Sequence, residues 1–277
     1  MKEFTRSGLV FDVDDTGPVD GPAVVLLHGW PQDRNAWDRV TPALVDHGLR
    51  VLAPDQRGYS PRARPSGRAA YRMAELVDDV VALVDTAGLQ RVHLVGHDWG
   101  GAVAWAFAER QPERLTALTV LSTPHHRAMA WAFRHGDQAR RSWYMGAFQL
   151  PVLPELVLRW QLAGVLRRSG LPEADASRYA VRFRQPGAAS GGLAWYRALA
   201  PRGGAADPPP SGAHRISVPT TYVWGRRDPA LGRAAAERTA TCVAADYRFV
   251  ELDAGHWLPE TRPADVVAAI TARETHP

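Results

Sequence analysis

Short aliphatic runs alternate with stretches of helical periodicity through the first 121 residues. Leu9 to Val13 alternates apolar and polar residues, as an edge strand does, whereas Ala23 to Leu27 is continuously aliphatic, which is typical of a strand buried on both faces. Further strands are predicted at Arg50 to Ala53, at the run that begins at Val92, and at Leu115 to Leu121. Strands that alternate with helices in this way favour a parallel α/β sheet with right-handed crossovers.

The intervening segments carry helix signals. Asn35 is a plausible N-cap for a helix from Ala36 to about His47, which Gly48 would end. Met73 to Ala87 places apolar residues at helical spacing, and an Ala-rich stretch from Ala102 continues to about Arg110. Residues 61–69 are predicted to be a loop.

The alternation stops after Thr123-Pro124. Residues 125–199 contain no aliphatic strand run, only helix-like stretches rich in Trp, Arg and Ala, and residues 201–212 form a predicted Pro/Gly linker. The alternation then resumes, with strands predicted at Thr220 to Trp224 and Arg248 to Leu252, and helices at Arg233 to Ala240 and Pro263 to Thr271. The expected organisation is an α/β core of residues 1–124 and 213–277 with a helical cap of residues 125–212.

Composition and charge narrow the class of protein. The 277 residues are 45% hydrophobic with a net charge of +4, and the basic residues are almost all scattered arginines, since Lys2 is the only lysine. No nucleic-acid partner is therefore expected. The N-terminus has no apolar signal region and no stretch approaches about 18 apolar residues, so we expect a cytoplasmic protein without a membrane partner. The single cysteine, Cys242, excludes an internal disulfide.

A strand, a tight turn and a helix meet at residues 92–101. The run beginning at Val92 ends in Gly96-His97-Asp98-Trp99-Gly100, and helix-forming residues follow at once. This is the pattern of a nucleophile elbow, in which small residues leave room for a reactive side chain at the pivot. The pivot here is Asp98 instead of serine.

An aspartate at this position predicts a particular chemistry. A carboxylate is already nucleophilic at neutral pH, and its attack on an sp³ carbon gives an alkyl ester. Hydrolysis of that ester needs a general base, for which His256 is the candidate because it follows the last predicted strand. Asp228, which follows the preceding strand, is the candidate acid that orients His256. Asp253 is an alternative that we rank lower, because it directly follows Leu252 and is a typical turn residue.

Ester hydrolysis also needs donors for an oxyanion. The backbone N–H of Trp99 directly follows the nucleophile, and the turn His28-Gly29-Trp30-Pro31 follows a buried strand, so the N–H groups of Trp30 and Trp99 are the candidates. His28, Gly29, Pro31 and His97 are expected to support the loops of the site.

With these residues in order, the chain resembles the α/β-hydrolase superfamily over nearly its whole length. Within it, two cap motifs resemble those of epoxide hydrolases, namely Tyr144-Met145-Gly146-Ala147-Phe148-Gln149-Leu150-Pro151 and Trp195-Tyr196-Arg197. The aspartate elbow and the His-Gly-x-Pro turn are shared with haloalkane dehalogenases, so the cap motifs carry the distinction. The order nucleophile, acid, histidine is that of the superfamily.

The resemblance implies hydrolysis of an epoxide to a vicinal diol without a cofactor. Tyr144 and Tyr196 would hydrogen-bond the epoxide oxygen, because an alkoxide leaves poorly unless it is protonated as it forms. The family pattern also suggests a cis Trp30–Pro31 peptide. Gly146 and Ala147 stand where larger residues are common in the family, which indicates a roomier pocket beside Tyr144.

Two other functions remain open from the sequence. A haloalkane or haloacid dehalogenase would use the same aspartate, and a ligand-binding protein could keep the fold without turnover. The adjacent His125 and His126 suggest a metal, but the sequence offers them no carboxylate or cysteine at ligand spacing. We therefore predict no metal site and a surface or hinge role for this pair.

Overall fold

A computed structural model describes residues 1–199 and 215–274 of the chain. The described residues form an eight-stranded sheet in the order β1-β2-β4-β3-β5-β6-β7-β8. The strands are β1 (Glu3–Arg6), β2 (Leu9–Thr16), β3 (Ala23–Leu27), β4 (Arg50–Pro54), β5 (Val92–His97), β6 (Leu115–Leu121), β7 (Thr220–Gly225) and β8 (Tyr247–Leu252). The predicted mostly parallel sheet is confirmed.

The pairing of the strands follows their hydrophobic patterns. β1 and β2 pair antiparallel at one edge, and β2 pairs antiparallel with β4, whereas β4, β3, β5, β6, β7 and β8 run parallel. Every residue of β3, β4 and β5 is buried, as expected for predominantly apolar strands in the middle of a parallel sheet. β1 was not predicted, because Phe4 is the only buried residue in its four positions.

Helices cover the sheet. Those flanking the strands are α1 (Thr41–Asp46), α2 (Met73–Thr86), α3 (Trp99–Arg110), α10 (Arg233–Arg238), α11 (Leu258–Thr261) and α12 (Pro263–Thr271). The predicted helix from Ala36 to His47 was wrong as a single element. A short 3₁₀ helix (Arg34–Trp37) precedes α1, because Pro42 has no N–H with which to continue a helix through this segment. The N-cap is also Asp33 and not Asn35, since the Asp33 side chain accepts a hydrogen bond from the Asn35 N–H.

Six helices follow β6 in residues 122–199, the part of the stretch before β7 that the structure describes up to residue 199. They are α4 (His126–His135), α5 (Gln138–Arg141), α6 (Trp143–Ala147), α7 (Leu153–Arg168), α8 (Glu173–Phe183) and α9 (Ala188–Ala198). Residues 122–199 contain no strand, and the helical insertion after Leu121 is thereby confirmed. The predicted linker of residues 201–212 lies outside the described residues, and the exact division into core and cap stays a prediction. No helix in the part of the chain that the structure describes is long and apolar enough to cross a membrane.

Candidate active site

Asp98 occupies a strained turn between β5 and α3. Its φ of 51° and ψ of −118° lie in a region of backbone conformation that residues other than glycine rarely adopt. The turn can close only because glycine has no Cβ. A Cβ on Gly96 would lie 2.2 Å from the Gly100 carbonyl oxygen, and one on Gly100 would lie 2.2 Å from the Leu27 carbonyl oxygen, both too close. The two glycines therefore allow β5, α3 and β3 to meet behind Asp98.

The turn after β3 faces the Asp98 carboxylate. The Trp30 N–H donates to Asp98 Oδ1 at 2.7 Å, and a Cβ on Gly29 would lie 2.3 Å from the Asp98 Cβ. The Trp30–Pro31 peptide is cis, as the sequence motif suggested. Trp99 is the first residue of α3, and N–H groups at this end of a helix have no partner within the helix. The backbone of Trp30 thus lies at the carboxyl group of Asp98, and α3 begins at the residue after Asp98.

His256 and Asp228 follow the two last strands and meet Asp98. His256 Nδ1 lies 2.7 Å from Asp228 Oδ2, and His256 Nε2 lies 3.6 Å from Asp98 Oδ2. Asp228 is fixed in turn, since its Oδ1 accepts hydrogen bonds from the Ala230 and Leu231 N–H groups. β7 and β8 pair in parallel up to Gly225 and Leu252, which explains why the residues just beyond them share one edge of the sheet.

Asp253, the alternative acid, lies elsewhere. Its carboxylate pairs at the surface with Arg226 and Arg227, at 3.0 and 2.8 Å. It does not contact the His256 ring, so the geometry supports the higher rank that the sequence gave to Asp228.

The charges of the two carboxylates determine the protonation of the imidazole. Burial alone would lower the pKa of His256, but the charges of Asp228 and Asp98 raise it to about 10. Burial likewise opposes the charged form of Asp98, yet the contact with His256 and the Trp30 N–H hold the pKa of Asp98 below its usual range. The resting site therefore holds an ionised Asp98 beside a protonated His256.

A buried network that the sequence reasoning missed holds the base and the turn together. Gln32 Oε1 accepts from the Gly29 N–H at 2.8 Å and lies 2.8 Å from His97 Nδ1, while Gln32 Nε2 donates to Glu260 Oε1 at 2.7 Å. His97 Nε2 lies 2.9 Å from the His256 carbonyl oxygen. The only sequence signal for Gln32 is its place directly after the His-Gly-Trp-Pro turn, and nothing in the pattern marks Glu260.

The two histidines expected to support loops each contact a backbone group of a neighbouring loop. His28 Nε2 accepts from the Gln56 N–H at 3.1 Å and its Nδ1 lies 3.0 Å from the Gly29 carbonyl oxygen. Burial lowers the pKa of His28 and of His97 to about 4. Both rings are therefore poor candidates for proton transfer.

The two cap tyrosines come from separate helices and lie side by side. Tyr144 is on α6 and Tyr196 on α9, and their ring centroids are 6.0 Å apart. The Tyr196 ring also packs edge-on against Trp99 and Trp30, at 5.0 and 5.8 Å, which places it over the elbow. Burial raises the pKa of both phenols, and the Asp98 charge raises it further, so both stay protonated.

Other residues of the two cap motifs fix the position of one tyrosine-bearing segment against the other. Gln149 Nε2 donates to the Tyr196 carbonyl oxygen at 2.7 Å, and Arg197 donates to the carbonyl oxygens of Phe148 and Leu150 at 3.0 and 2.7 Å. Each motif therefore binds the backbone of the other. This gives a physical reason for the glutamine and arginine that stand beside the tyrosines.

Comparison with known proteins places this geometry in a family. A family model for the α/β hydrolase fold matches residues 22–263. The chain belongs to the α/β-hydrolase family. It is 37% identical to an AB hydrolase superfamily protein of Bacillus subtilis, over 94% of this chain and 92% of that one. It is 33% identical to epoxide hydrolase A of Mycobacterium tuberculosis, over 95% and 94% of the two chains.

Solved structures agree with the sequence relatives. A structure described among novel epoxide hydrolases from metagenomes of hot environments superposes with a TM-score of 0.85 at 30% identity, covering 99% of this chain and 98% of that one. Epoxide hydrolase A of Mycobacterium thermoresistibile superposes with a TM-score of 0.81 at 28% identity, covering 98% and 96%. The resemblance to epoxide hydrolases that the cap motifs indicated is confirmed.

Proposed function

We propose that this α/β hydrolase converts an epoxide and water to a vicinal diol through an alkyl ester on Asp98. The observation that carries the proposal is the meeting of two protonated phenols, Tyr144 and Tyr196, near the Asp98 carboxylate, which is paired with His256, whose other ring nitrogen contacts Asp228. A carboxylate alone serves several leaving groups, whereas paired phenols suit an oxygen that must be protonated as it leaves.

The first half-reaction forms the ester. Asp98 Oδ2 attacks an epoxide carbon while Oδ1 keeps its hydrogen bond from the Trp30 N–H. The carbon–oxygen bond of the ring breaks, and the departing oxygen takes a proton from one of the two tyrosines while the other donates a hydrogen bond. The two phenols lie beside each other near Asp98 before the substrate binds, so donors for the departing oxygen are already in place.

The second half-reaction hydrolyses the ester. His256 Nε2 takes a proton from water, which attacks the Asp98 carboxyl carbon, and the negative charge that develops on Oδ1 is held by the Trp30 and Trp99 N–H groups. Collapse breaks the bond from the carboxyl carbon to the alkyl oxygen, and His256 returns its proton to the diol. The carboxylic acid that remains on Asp98 loses its proton, which restores the tyrosine.

The ester itself makes His256 a base. While Asp98 is ionised, two carboxylates raise the pKa of His256 to about 10, and the ring is protonated. Esterification removes the charge of Asp98, so the pKa of His256 falls, the ring releases its proton to solvent, and the neutral ring can accept a proton from water. Once the diol has left and Asp98 is ionised again, His256 takes a proton back from solvent. The base is thus generated only after the substrate is attached.

Trapping the intermediate tests the covalent route. His256→Ala incubated with terminal, styrene-type and trans-disubstituted epoxides should accumulate an adduct on the peptide that spans Asp98, detected by mass spectrometry. The double variant His256→Ala, Asp98→Ala should gain no mass on that peptide. If no epoxide in the panel gives an adduct, the ester mechanism is wrong.

Isotope labelling gives an independent check. In a single turnover in ¹⁸O-water, the balance above sends the label into the Asp98 carboxyl group and leaves the first molecule of diol unlabelled. Direct attack of water on the epoxide would label the diol and leave the enzyme unlabelled. The two routes therefore predict opposite results in one experiment.

A further inference from the structure

A cluster of two histidines and one glutamate lies at the far end of α3 from the elbow. Glu109 is in the last turn of α3, whereas His125 and His126 stand at the start of α4, the first helix after β6. Trp99 and Glu109 are ten positions apart, a distance of about 15 Å along the helix axis, so the cluster is separate from Asp98.

The three side chains converge on one point. Glu109 Oε1 lies 3.2 Å from His125 Nε2 and 3.6 Å from His126 Nε2, and one ligand atom of each residue lies within 4.8 Å of the others. Two imidazole nitrogens and one carboxylate oxygen are the donor set that zinc takes in many sites. Zinc bonds of about 2.0–2.2 Å place neighbouring ligand atoms of a tetrahedron about 3.3 Å apart, which the two distances approach.

At one of these atoms the contact that burial demands is poorly made. His125 is 1% exposed, and the Glu109 carboxylate 3.2 Å from its Nε2 is not aligned for a hydrogen bond. A buried polar atom without an aligned partner is costly and calls for an explanation. Its neighbour differs, because the His126 side chain is 50% exposed and opens the cluster to solvent.

We propose that Glu109, His125 and His126 bind one Zn²⁺, with water as the fourth ligand on the exposed side of His126. The ion would satisfy His125 Nε2 and join the end of the elbow helix to the first helix of the insertion. The sequence hid this site because Glu109 is sixteen positions before His125 and belongs to another helix.

The capping contact of His125 supplies a signature for zinc. His125 Nδ1 accepts a hydrogen bond from the Arg127 N–H at 3.2 Å and so caps α4, which places the proton of the neutral ring on Nε2. Zinc needs the lone pair of Nε2, so its binding moves the proton to Nδ1 and breaks the cap. The tautomer of His125 must therefore change when the metal binds.

Calorimetric titration of untagged, chelator-treated protein with ZnCl₂ tests the site. We expect one equivalent of zinc to bind, with at least tenfold weaker affinity in His126→Ala and in Glu109→Gln, which keeps the shape of the side chain. His135→Ala is the matched control, because His135 is an exposed histidine on the same helix, and it should bind as the unmodified chain does. Equal affinity in all four proteins would overturn the proposal.

Two further readouts separate a defined site from loose surface binding. In ¹⁵N-labelled protein, zinc should convert the His125 ring from the Nε2–H to the Nδ1–H tautomer, and an unchanged tautomer at saturating zinc contradicts the proposal. Zinc should also raise the melting temperature of the unmodified chain and of His135→Ala but not of His126→Ala, since an ion that binds only the folded state stabilises it. Equal shifts in all three would also contradict it.

Discussion

Two carboxylates share one imidazole in this site, and only one of them changes charge during the proposed reaction. The side chain of Asp228 is fully buried, accepts two backbone N–H groups and contacts His256 Nδ1, and it takes no part in bond making or breaking. Asp98 is an anion at rest and a neutral ester in the intermediate. His256 is therefore next to two negative charges in the resting enzyme and to one in the ester intermediate. This explains why it takes no part in the first half-reaction and acts as a base in the second.

This difference predicts that the two half-reactions respond differently to pH. Formation of the ester should be nearly constant from pH 5 to 8, because the pKa of Asp98 is held below its usual value and the carboxylate stays ionised. Hydrolysis of the ester should accelerate as pH rises, since it needs neutral His256, and should level off below pH 10, where the resting ring titrates. Rapid-quench single turnovers measure both rates, and parallel pH profiles would contradict the assignment.

The cap tyrosines predict which leaving group the enzyme serves. Tyr144→Phe and Tyr196→Phe should each slow ester formation from an epoxide about 100-fold, the cost of losing one preorganised donor, and the double variant should be inactive. Both should leave hydrolysis of an ester already formed unchanged. A dehalogenase would not need the phenols, so full halide release from haloalkanes by the double variant would favour that function instead.

At the scale of elements, the insertion positions its tyrosines by helix-to-helix backbone contacts. Arg197 on α9 reaches the carbonyl oxygens of Phe148 and Leu150 after α6, and its guanidinium also pairs with Glu155 of α7 at 2.6 Å. One side chain thus links three helices. The backbone segments that carry the two tyrosines are held together by this arrangement.

Arg197→Ala should therefore slow ester formation, although Arg197 has no proposed contact with the substrate. Loss of the three contacts lets α9 move relative to α6, and a misplacement of about 1 Å in a reacting group costs roughly 10²-fold in rate. We expect ester formation to slow by about that factor while ester hydrolysis is unchanged, measured by rapid quench. Arg140→Ala removes an arginine whose side chain is 84% exposed and should have no effect, and equal losses in the two variants would refute the role of Arg197.

The sequence predicted elements well where one helix or strand carries its own signal. β3, β6 and α12 have the predicted bounds, because a continuous apolar run or a helical period between Pro and polar residues is local information. β1 was missed since a four-residue edge strand buries a single side chain. The helix predicted from Ala36 failed at Pro42, a breaker that the apolar spacing concealed.

The site divides along the same line. Asp98, Asp228 and His256 each follow a strand, so their convergence could be predicted from the rule that the carboxyl ends of parallel strands share an edge. Gln32 and Glu260 could not, because their contact joins positions 228 apart and neither belongs to a recognisable pattern. The contact of Glu109 with the His125-His126 pair could not be predicted either, because the residues are far apart in the sequence and belong to different helices.

For the whole molecule, ion pairs join the insertion to the loops after β3 and β4. Arg182 of α8 contacts the carboxylates of Asp55 and Asp33, which are completely and almost completely buried. Arg39 adds a pair with Asp175 of α8, at 2.8 Å. Since the tyrosines lie in the insertion and Asp98 in the core, these contacts set how the two parts of the site meet.

Removing Arg182 should lower the stability of the protein by an amount that depends on pH. Arg182→Met leaves Asp33 buried without its cation, and loss of one partner of a buried pair costs roughly 3 kcal/mol, the lower end of the usual range because Asp55 keeps Arg34. Burial already raises the pKa of Asp33, and without Arg182 it rises further, so Asp33 takes up a proton as pH falls and the penalty shrinks. Urea unfolding should therefore show a larger loss in the free energy of unfolding at pH 8 than at pH 5.

The double variant Arg182→Met, Asp33→Asn should recover part of that loss at pH 8. A loss that is equal at both pH values would show that the charge of Asp33 is not its cause.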